Sequence, residues 1–222
     1  MTGTAIRPRT RRVDATLAEK FKQIPVANVS DVMGRLYGGD CTLRPRHAGG
    51  RMAGAAVTVK TRASDILFVQ KAFDIAGPGD VICVDGDGNL NHALMGEIML
   101  AHATARGIAG VVINGAIRDA ATVRLSQVPV FSVGVTHRGP FRNGPGLINV
   151  PIVLDNMVVN PGDLVLGDDD GVLVVPMDQA EAIYQAAHTL SEVEDQQLAD
   201  ARAGRLDRSS IDEALRKLGY ID

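Results

Sequence analysis

Two apolar runs, Asp80-Val-Ile-Cys-Val-Asp85 and Gly110-Val-Val-Ile-Asn-Gly-Ala-Ile117, flank a stretch from Gly96 to Arg106, and no other feature constrains the fold as much. Each run has the length and continuous apolarity of a strand buried on both faces. The stretch between them carries Ile98, Leu100, Ala101 and Ala105 and reads as a helix. Strand, helix and strand form a crossover unit, which joins parallel strands with a right-handed turn. About 11 helical residues and about 6 strand residues each span roughly 16 to 20 Å, so the chain returns to the rim it left. Ligands of open α/β sheets bind at that rim. Glu97, Arg118 and Asp119 should therefore converge there: an acid at a helix start, a guanidinium and a second carboxylate. Such a group suits a metal ion holding a small anionic substrate. An ion pair stabilising the sheet edge would use the same residues, and the pattern alone leaves both readings open.

The remaining elements follow from local signals. Residues 1–13, basic and rich in Thr and Arg, read as a flexible N-terminal arm. Asp14 can cap a helix through Phe21, and Ser30 with Asp31 can start another through Leu36. Residues 49–61 contain Ala53-Gly-Ala-Ala-Val-Thr-Val-Lys60, a strand whose small residues allow another backbone to approach closely. Ile66 to Ile75 reads as an amphipathic helix, and Pro78-Gly-Asp80 as the turn into the first crossover strand. A short helix near Ala120 to Leu125 and a strand from Val128 to Val135 come next. From Ile148 to Pro176 the pattern is strand, turn, strand, turn, strand, punctuated by Pro161-Gly-Asp163 and Asp168-Asp-Asp-Gly171. The rest is helical. The chain divides into the arm, an α/β domain over 14–176, and C-terminal helices over 177–222 that complete it.

With 222 residues, 45% of them hydrophobic, the chain can bury a sizeable core as one domain. A net charge of −3 supplies no broad attraction to nucleic acid or anionic membranes, so neither is expected as a partner. Arg11-Arg12 is followed by no apolar segment, and no run approaches a membrane span, so the expected location is the cytoplasm. Two cysteines, Cys41 and Cys83, are too few for a disulfide scaffold, and both read as core residues.

Several local motifs fail on inspection. Asp85-Gly-Asp-Gly-Asn89 begins like a calcium loop, but Leu90 and Gly96 occupy the positions that need Gly and Glu. Gly86-Asp-Gly88 followed by Asn91 lacks the third glycine of a dinucleotide fingerprint. Asp168-Asp169-Asp170 reads as a solvated turn, because successive residues point in different directions. His92, His137, Arg138 and Arg142 lie in loops able to face the site, with His92 nearest Gly96.

The motifs taken together, from Gly96-Glu97 through Gly110-Val-Val-Ile-Asn-Gly-Ala-Ile-Arg-Asp119, Pro129-Val-Phe131, Pro161-Gly-Asp163 and Gly167-Asp-Asp-Asp-Gly-Val-Leu-Val-Val-Pro176, resemble the RraA-like family. That family includes class II 4-hydroxy-4-methyl-2-oxoglutarate / 4-carboxy-4-hydroxy-2-oxoadipate aldolases and RraA regulators of ribonuclease E. The resemblance runs from about Val26 to the C-terminal helix. It implies a swivelling β/β/α layered fold and, for an aldolase, a retro-aldol lyase with a divalent metal, Mg²⁺ or Mn²⁺. Carried over, Arg118 contacts the 2-oxo acid substrate, Asp119 holds the metal directly, and Glu97 acts through water. The amides of Gly96, Glu97, Ile98 and Met99 receive the substrate carboxylate, as helix-start N–H groups can. The resemblance further implies that the C-terminal helices over 177–222 contact neighbouring subunits. Glu194, on a C-terminal helical stripe, is the candidate outer-shell acid, supplied through water to a neighbouring subunit in a homotrimer or homohexamer.

Cleaving a 4-hydroxy-2-oxo acid leaves a pyruvate enolate, whose oxyanion needs a Lewis acid and fixed positive charge if no Schiff-base lysine serves. Lys60 and Lys71 are not placed by any motif at this rim. Oxaloacetate decarboxylation yields the same enolate and is the expected side activity. Two departures from the family pattern stand out: Thr122 occupies a position where aldolases often have another acid, and Asn114 one where many relatives have aspartate. A non-enzymatic RraA-type regulator is the competing class, and Asp119, which such regulators typically lack, favours catalysis. An enzyme acting on a different 2-oxo acid is the third reading.

Overall fold

The computed structural model describes residues 5–39 and 41–222. The chain begins with helices α1 (Ala15–Phe21) and α2 (Val26–Val32), then the short strand β1 (Arg44–Pro45), β2 (Met52–Thr61) and α3 (Leu67–Ile75). The crossover follows as β3 (Asp80–Asp85), α4 (Glu97–Ala105) and β4 (Gly110–Ile117), leading into α5 (Ala120–Arg124) and β5 (Val130–Val135). Strands β6 (Gly146–Ile148), β7 (Ile152–Leu154), β8 (Met157–Val159), β9 (Leu164–Asp168) and β10 (Gly171–Val175) precede helices α6 (Ala180–Arg202) and α7 (Ser209–Lys217).

One mixed sheet runs β1-β5-β4-β3-β2-β9-β10, with β6 also pairing β2, while β7 and β8 form a separate hairpin. The pairs β2–β3, β3–β4 and β4–β5 are parallel, as the crossover requires. Alternation of side chains explains the layers. Ile82 and Val84 of β3 join Val111 and Ile113 of β4 against Val69, Phe73, Leu100 and Ala103 of α3 and α4. Val81, Cys83 and Val112 face the other way, against Ile152, Leu154, Met157 and Val159 of the hairpin. Two sheets and a helical layer thus form the expected β/β/α architecture in one domain. Close approach within β2 is real: a Cβ on Gly54 would lie 2.3 Å from the carbonyl oxygen of Gly79.

Asp14 caps α1 as expected, accepting from the amides of Thr16 and Leu17 at 2.9 and 3.1 Å. The second helix differs from expectation. It begins at Val26, so Ser30 and Asp31 fall inside its last turns rather than at its start. Its cap comes from elsewhere in the chain, since Asp168 at the end of β9 accepts from the Val26 amide at 2.9 Å. Residues 148–176 also hold more strands than expected, because Asp155 and Asn156, both at positive φ, make a two-residue turn that splits one apolar run into β7 and β8. Cys83 is buried, and burial pushes its thiol pKa far up. Cys41, by contrast, is exposed, as it lies in the irregular segment before β1 with its backbone at positive φ.

The described part of the N-terminal arm lies along the domain. Ile6 bridges Ile148, Arg9 pairs with buried Asp80 at 2.8 Å, and the Val13 amide donates to Gly162 at 2.9 Å. Residues 1–4 fall outside the described residues. No helix among the described residues is long and apolar enough to cross a membrane.

Candidate active site

Glu97, Arg118 and Asp119 meet at the carboxyl rim of the parallel strands. The crossover brings them to one edge, but a further contact sets their register. Ala93 bridges Ala116, the Leu94 amide donates to Ala116 at 2.8 Å, and the Arg118 amide donates to Met95 at 2.9 Å. Residues 93–95 therefore run beside the end of β4 and deliver Gly96 against Arg118.

Asp119 adopts the left-handed conformation at φ 58°, which turns its carboxylate back toward α4. Its Oδ2 accepts from the Glu97 amide at 2.9 Å and lies 3.7 Å from Arg118 Nε. Its Oδ1 accepts no hydrogen bond among the described residues. Thr122 Oγ1 donates to Glu97 Oε2 at 3.2 Å, so the threonine in place of an acid orients Glu97 instead. Gly96 is extended, so its backbone needs no glycine, but a Cβ there would lie 2.5 Å from Asp119 Oδ2 and 3.0 Å from Arg118 Nε. The contact depends on the missing side chain. Of the amides expected to receive a carboxylate, that of Glu97 is occupied by Asp119, while those of Gly96, Ile98 and Met99 have no acceptor among the described residues.

A pocket of about 250 Å³ opens beside this group, lined by Gly96, Ile98, Met99 and Arg118 together with Ile66, Gln70, Gly139, Pro140 and Arg142. Glu97 and Asp119 border Arg118 without lining it. Gln70, absent from the sequence reading, comes from α3, whose pattern showed only an amphipathic helix. Among the loop residues the pocket takes Arg142 and not His92. The His92 ring is engaged with the Ser64 hydroxyl at 2.9 Å and packs on Phe141 with centroids 5.0 Å apart. Lys60 does reach the rim, at the end of β2, where its Nζ pairs with Asp85 at 2.7 Å and does not line the pocket. Lys71 pairs with Asp74 on α3.

Glu194 stands apart from the trio within one chain, on α6, where it accepts from Asn28 Nδ2 at 2.7 Å. No three His, Cys, Asp or Glu side chains converge as a metal site among the described residues. Two acids at the trio still match a hard divalent cation, because Mg²⁺ commonly takes one or two carboxylates and completes its octahedron with water and substrate oxygens. The open Oδ1 of Asp119 is the oxygen free for that purpose.

Residues 26–174 match the RraA-like family model, described as Aldolase/RraA. The chain belongs to the RraA-like family. A relative from Halalkalibacterium halodurans, provisionally named as a 4-hydroxy-4-methyl-2-oxoglutarate aldolase, is 39% identical over 168 residues, covering 76% of this chain and 80% of the relative. An uncharacterized protein from Pseudomonas syringae pv. tomato superposes with TM-score 0.80 at 26% identity, over 91% of this chain and 95% of its own. The RNA-processing inhibitor RraA from Thermus thermophilis superposes with TM-score 0.60 at 30% identity, over 67% of this chain and 92% of its own. Family membership thus spans relatives named for lyase chemistry and for inhibition of RNA processing.

Proposed function

We propose that this protein is a divalent-metal-dependent retro-aldol lyase that cleaves 4-hydroxy-2-oxo acids of the 4-hydroxy-4-methyl-2-oxoglutarate type, releasing pyruvate. Oxaloacetate decarboxylation is its side activity, and a homotrimer or homohexamer in the cytoplasm its working form. The observation that carries the reading is Asp119, with one carboxylate oxygen open, beside Arg118 at the mouth of the pocket. Asp119 would hold Mg²⁺ or Mn²⁺ directly and Glu97 through water, with Glu194 of a neighbouring subunit as an outer acid, also through water. When bound, such an ion supplies Lewis-acid polarisation of the 2-oxo group.

The rest is done by the chain. The Ile98 and Met99 amides receive the C1 carboxylate at the start of α4. Arg118 presents fixed positive charge where the enolate oxygen develops, a contribution of the kind worth about 10²- to 10³-fold in rate. Thr122 engages one oxygen of Glu97, which leaves Oε1 to take the 4-hydroxyl proton by way of a water. The C3–C4 bond then breaks, its electrons pass into the enolate, and a carbonyl forms at C4. Protonation at C3 completes pyruvate.

The test measures pyruvate release from 4-hydroxy-4-methyl-2-oxoglutarate and CO₂ release from oxaloacetate, with Mg²⁺, Mn²⁺ or chelator, for wild type beside Asp119→Asn. Turnover requiring both metal and Asp119 is expected. A second reading, a regulator that binds a protein of the RNA-processing machinery, is favoured by the Thermus relative. Metal-independent inactivity toward both substrates would select it.

A further inference from the structure

The pocket has an electrostatic imbalance that the trio does not explain. Among the described residues its lining holds two guanidiniums, Arg118 and Arg142, and no acidic side chain. Among the described residues Arg118 has only the loose contact with Asp119 at 3.7 Å. The side chains of Arg142 and Gln70 have no hydrogen bond or ion pair among the described residues. Two positive charges and a free amide thus face an otherwise apolar volume, an arrangement that attracts an anion carrying more than one charge.

Arg142 is not on a slack loop. Its neighbours on both sides are tied to the segment between β2 and α3. The Phe141 amide donates to Ser64 at 2.8 Å, and the Phe141 carbonyl accepts from Ile66 at 2.9 Å. Asp65, fully buried, accepts from the amides of Asn143 and Gly144 at 2.8 and 2.9 Å and from that of Leu67 at 3.0 Å. Burial pushes the Asp65 pKa up, but the donors Asn143, Leu67 and Gly144, with the Arg62 guanidinium, outweigh it and hold it below the ordinary value. The other end of the loop reaches Arg118, since a Cβ on Gly139 would lie 3.6 Å from its Nη1. The backbone on either side of Arg142 is thus fixed, which presents its unpaired guanidinium at the pocket.

We infer that Arg142, assisted by Gln70, binds the distal carboxylate of a dicarboxylic 2-oxo acid and so selects dicarboxylates over monocarboxylates of equal length. This rests on the lyase reading for the chemistry at Arg118, but its binding consequence stands independently. Arg142 is a specificity residue, and Asp65 a positioning residue acting through the loop.

The experiment titrates 2-oxoglutarate and 2-oxopentanoate, which have equal chain lengths, into the Mg²⁺-loaded protein by calorimetry. In parallel, kcat/KM is measured for 4-hydroxy-2-oxoglutarate against 4-hydroxy-2-oxopentanoate. Wild type should favour the dicarboxylate by about 10- to 100-fold, the scale of one charge-assisted hydrogen-bonded pair. Arg142→Gln should erase that preference by weakening only the dicarboxylate, and Arg142→Lys should restore part of it. Equal affinity for both acids in wild type, or an undiminished preference in Arg142→Gln, overturns the inference even if the aldol reaction proceeds. An Arg142-dependent binding preference without any aldol turnover upholds it and removes the lyase reading instead.

Discussion

Two strand ends in this protein carry clustered acids, and their carboxylates are used in opposite ways. At the end of β9, Asp168 has both oxygens engaged: Oδ2 accepts from the Val26 amide at the start of α2, and Oδ1 from the Asp170 amide within its own turn. At the end of β4, Asp119 has one oxygen engaged by the Glu97 amide and the other open, beside a half-exposed arginine and a pocket. The first aspartate of that run thus serves structure, while Asp119 keeps an oxygen with which to bind. Density of charge is a poor guide to a site; an unengaged oxygen beside an arginine that lines a cavity is a better one.

The sharpest way to break this contrast is Asp119→Asn, which tolerates the left-handed backbone and keeps an oxygen for the Glu97 amide. Metal-dependent pyruvate release should fall by about 10²- to 10³-fold or more with the melting temperature little changed, as read by a coupled assay and thermal denaturation. Unfolding instead would return the pair to the role of a structural ion pair. Gly96→Ala comes next: its Cβ would displace the Asp119 carboxylate or the Arg118 side chain, so kcat/KM should drop by about 10- to 100-fold, with circular dichroism unchanged.

A third carboxylate, Asp65, extends the comparison to a buried and fully satisfied acid. Because its folded pKa is depressed, its stabilisation is complete above the ordinary carboxylate range, about pH 4, and is lost as pH falls through the folded value. Asp65→Asn should cost about 1–3 kcal/mol at neutral pH and flatten the acid limb of a stability–pH curve measured by urea titration. Asp168→Ala should be milder still, costing about 1 kcal/mol through the lost cap of α2 while leaving turnover intact. Any loss of metal binding in that variant would contradict its structural assignment.

Much of the site was legible because its residues lie on regular elements. Continuous apolar runs placed β3 and β4, and the apolar spacing between them placed α4, to within a residue or so, and the crossover rule then brought Glu97 to Arg118 and Asp119 without any knowledge of side-chain contacts. Thr122 was noticed only as an absent acid. That its hydroxyl reaches Glu97 depends on how α5 leaves β4, which no local pattern specifies. Gln70 had no signal beyond one turn of an amphipathic helix, and His92 looked better placed than Arg142 because it is closer to Gly96 along the chain. Closeness along the chain was the wrong measure, since Asp65, just beyond the carboxyl end of β2, ties the loop of Arg142 to the same rim.

The start of α2 shows the same division. Ser30 and Asp31 have the chemistry of a helix start, but the helix begins at Val26, where a carboxylate more than a hundred residues away supplies the cap. Periodic burial and short-range turn chemistry act between residues a few positions apart, so most strands, most helices and the shared rim follow from the amino-acid order. Which polar atoms remain without a partner, and hence which are available to a ligand, depends on contacts between distant segments. Those contacts exist only once the sheet, the helices and the 139–145 loop have packed together.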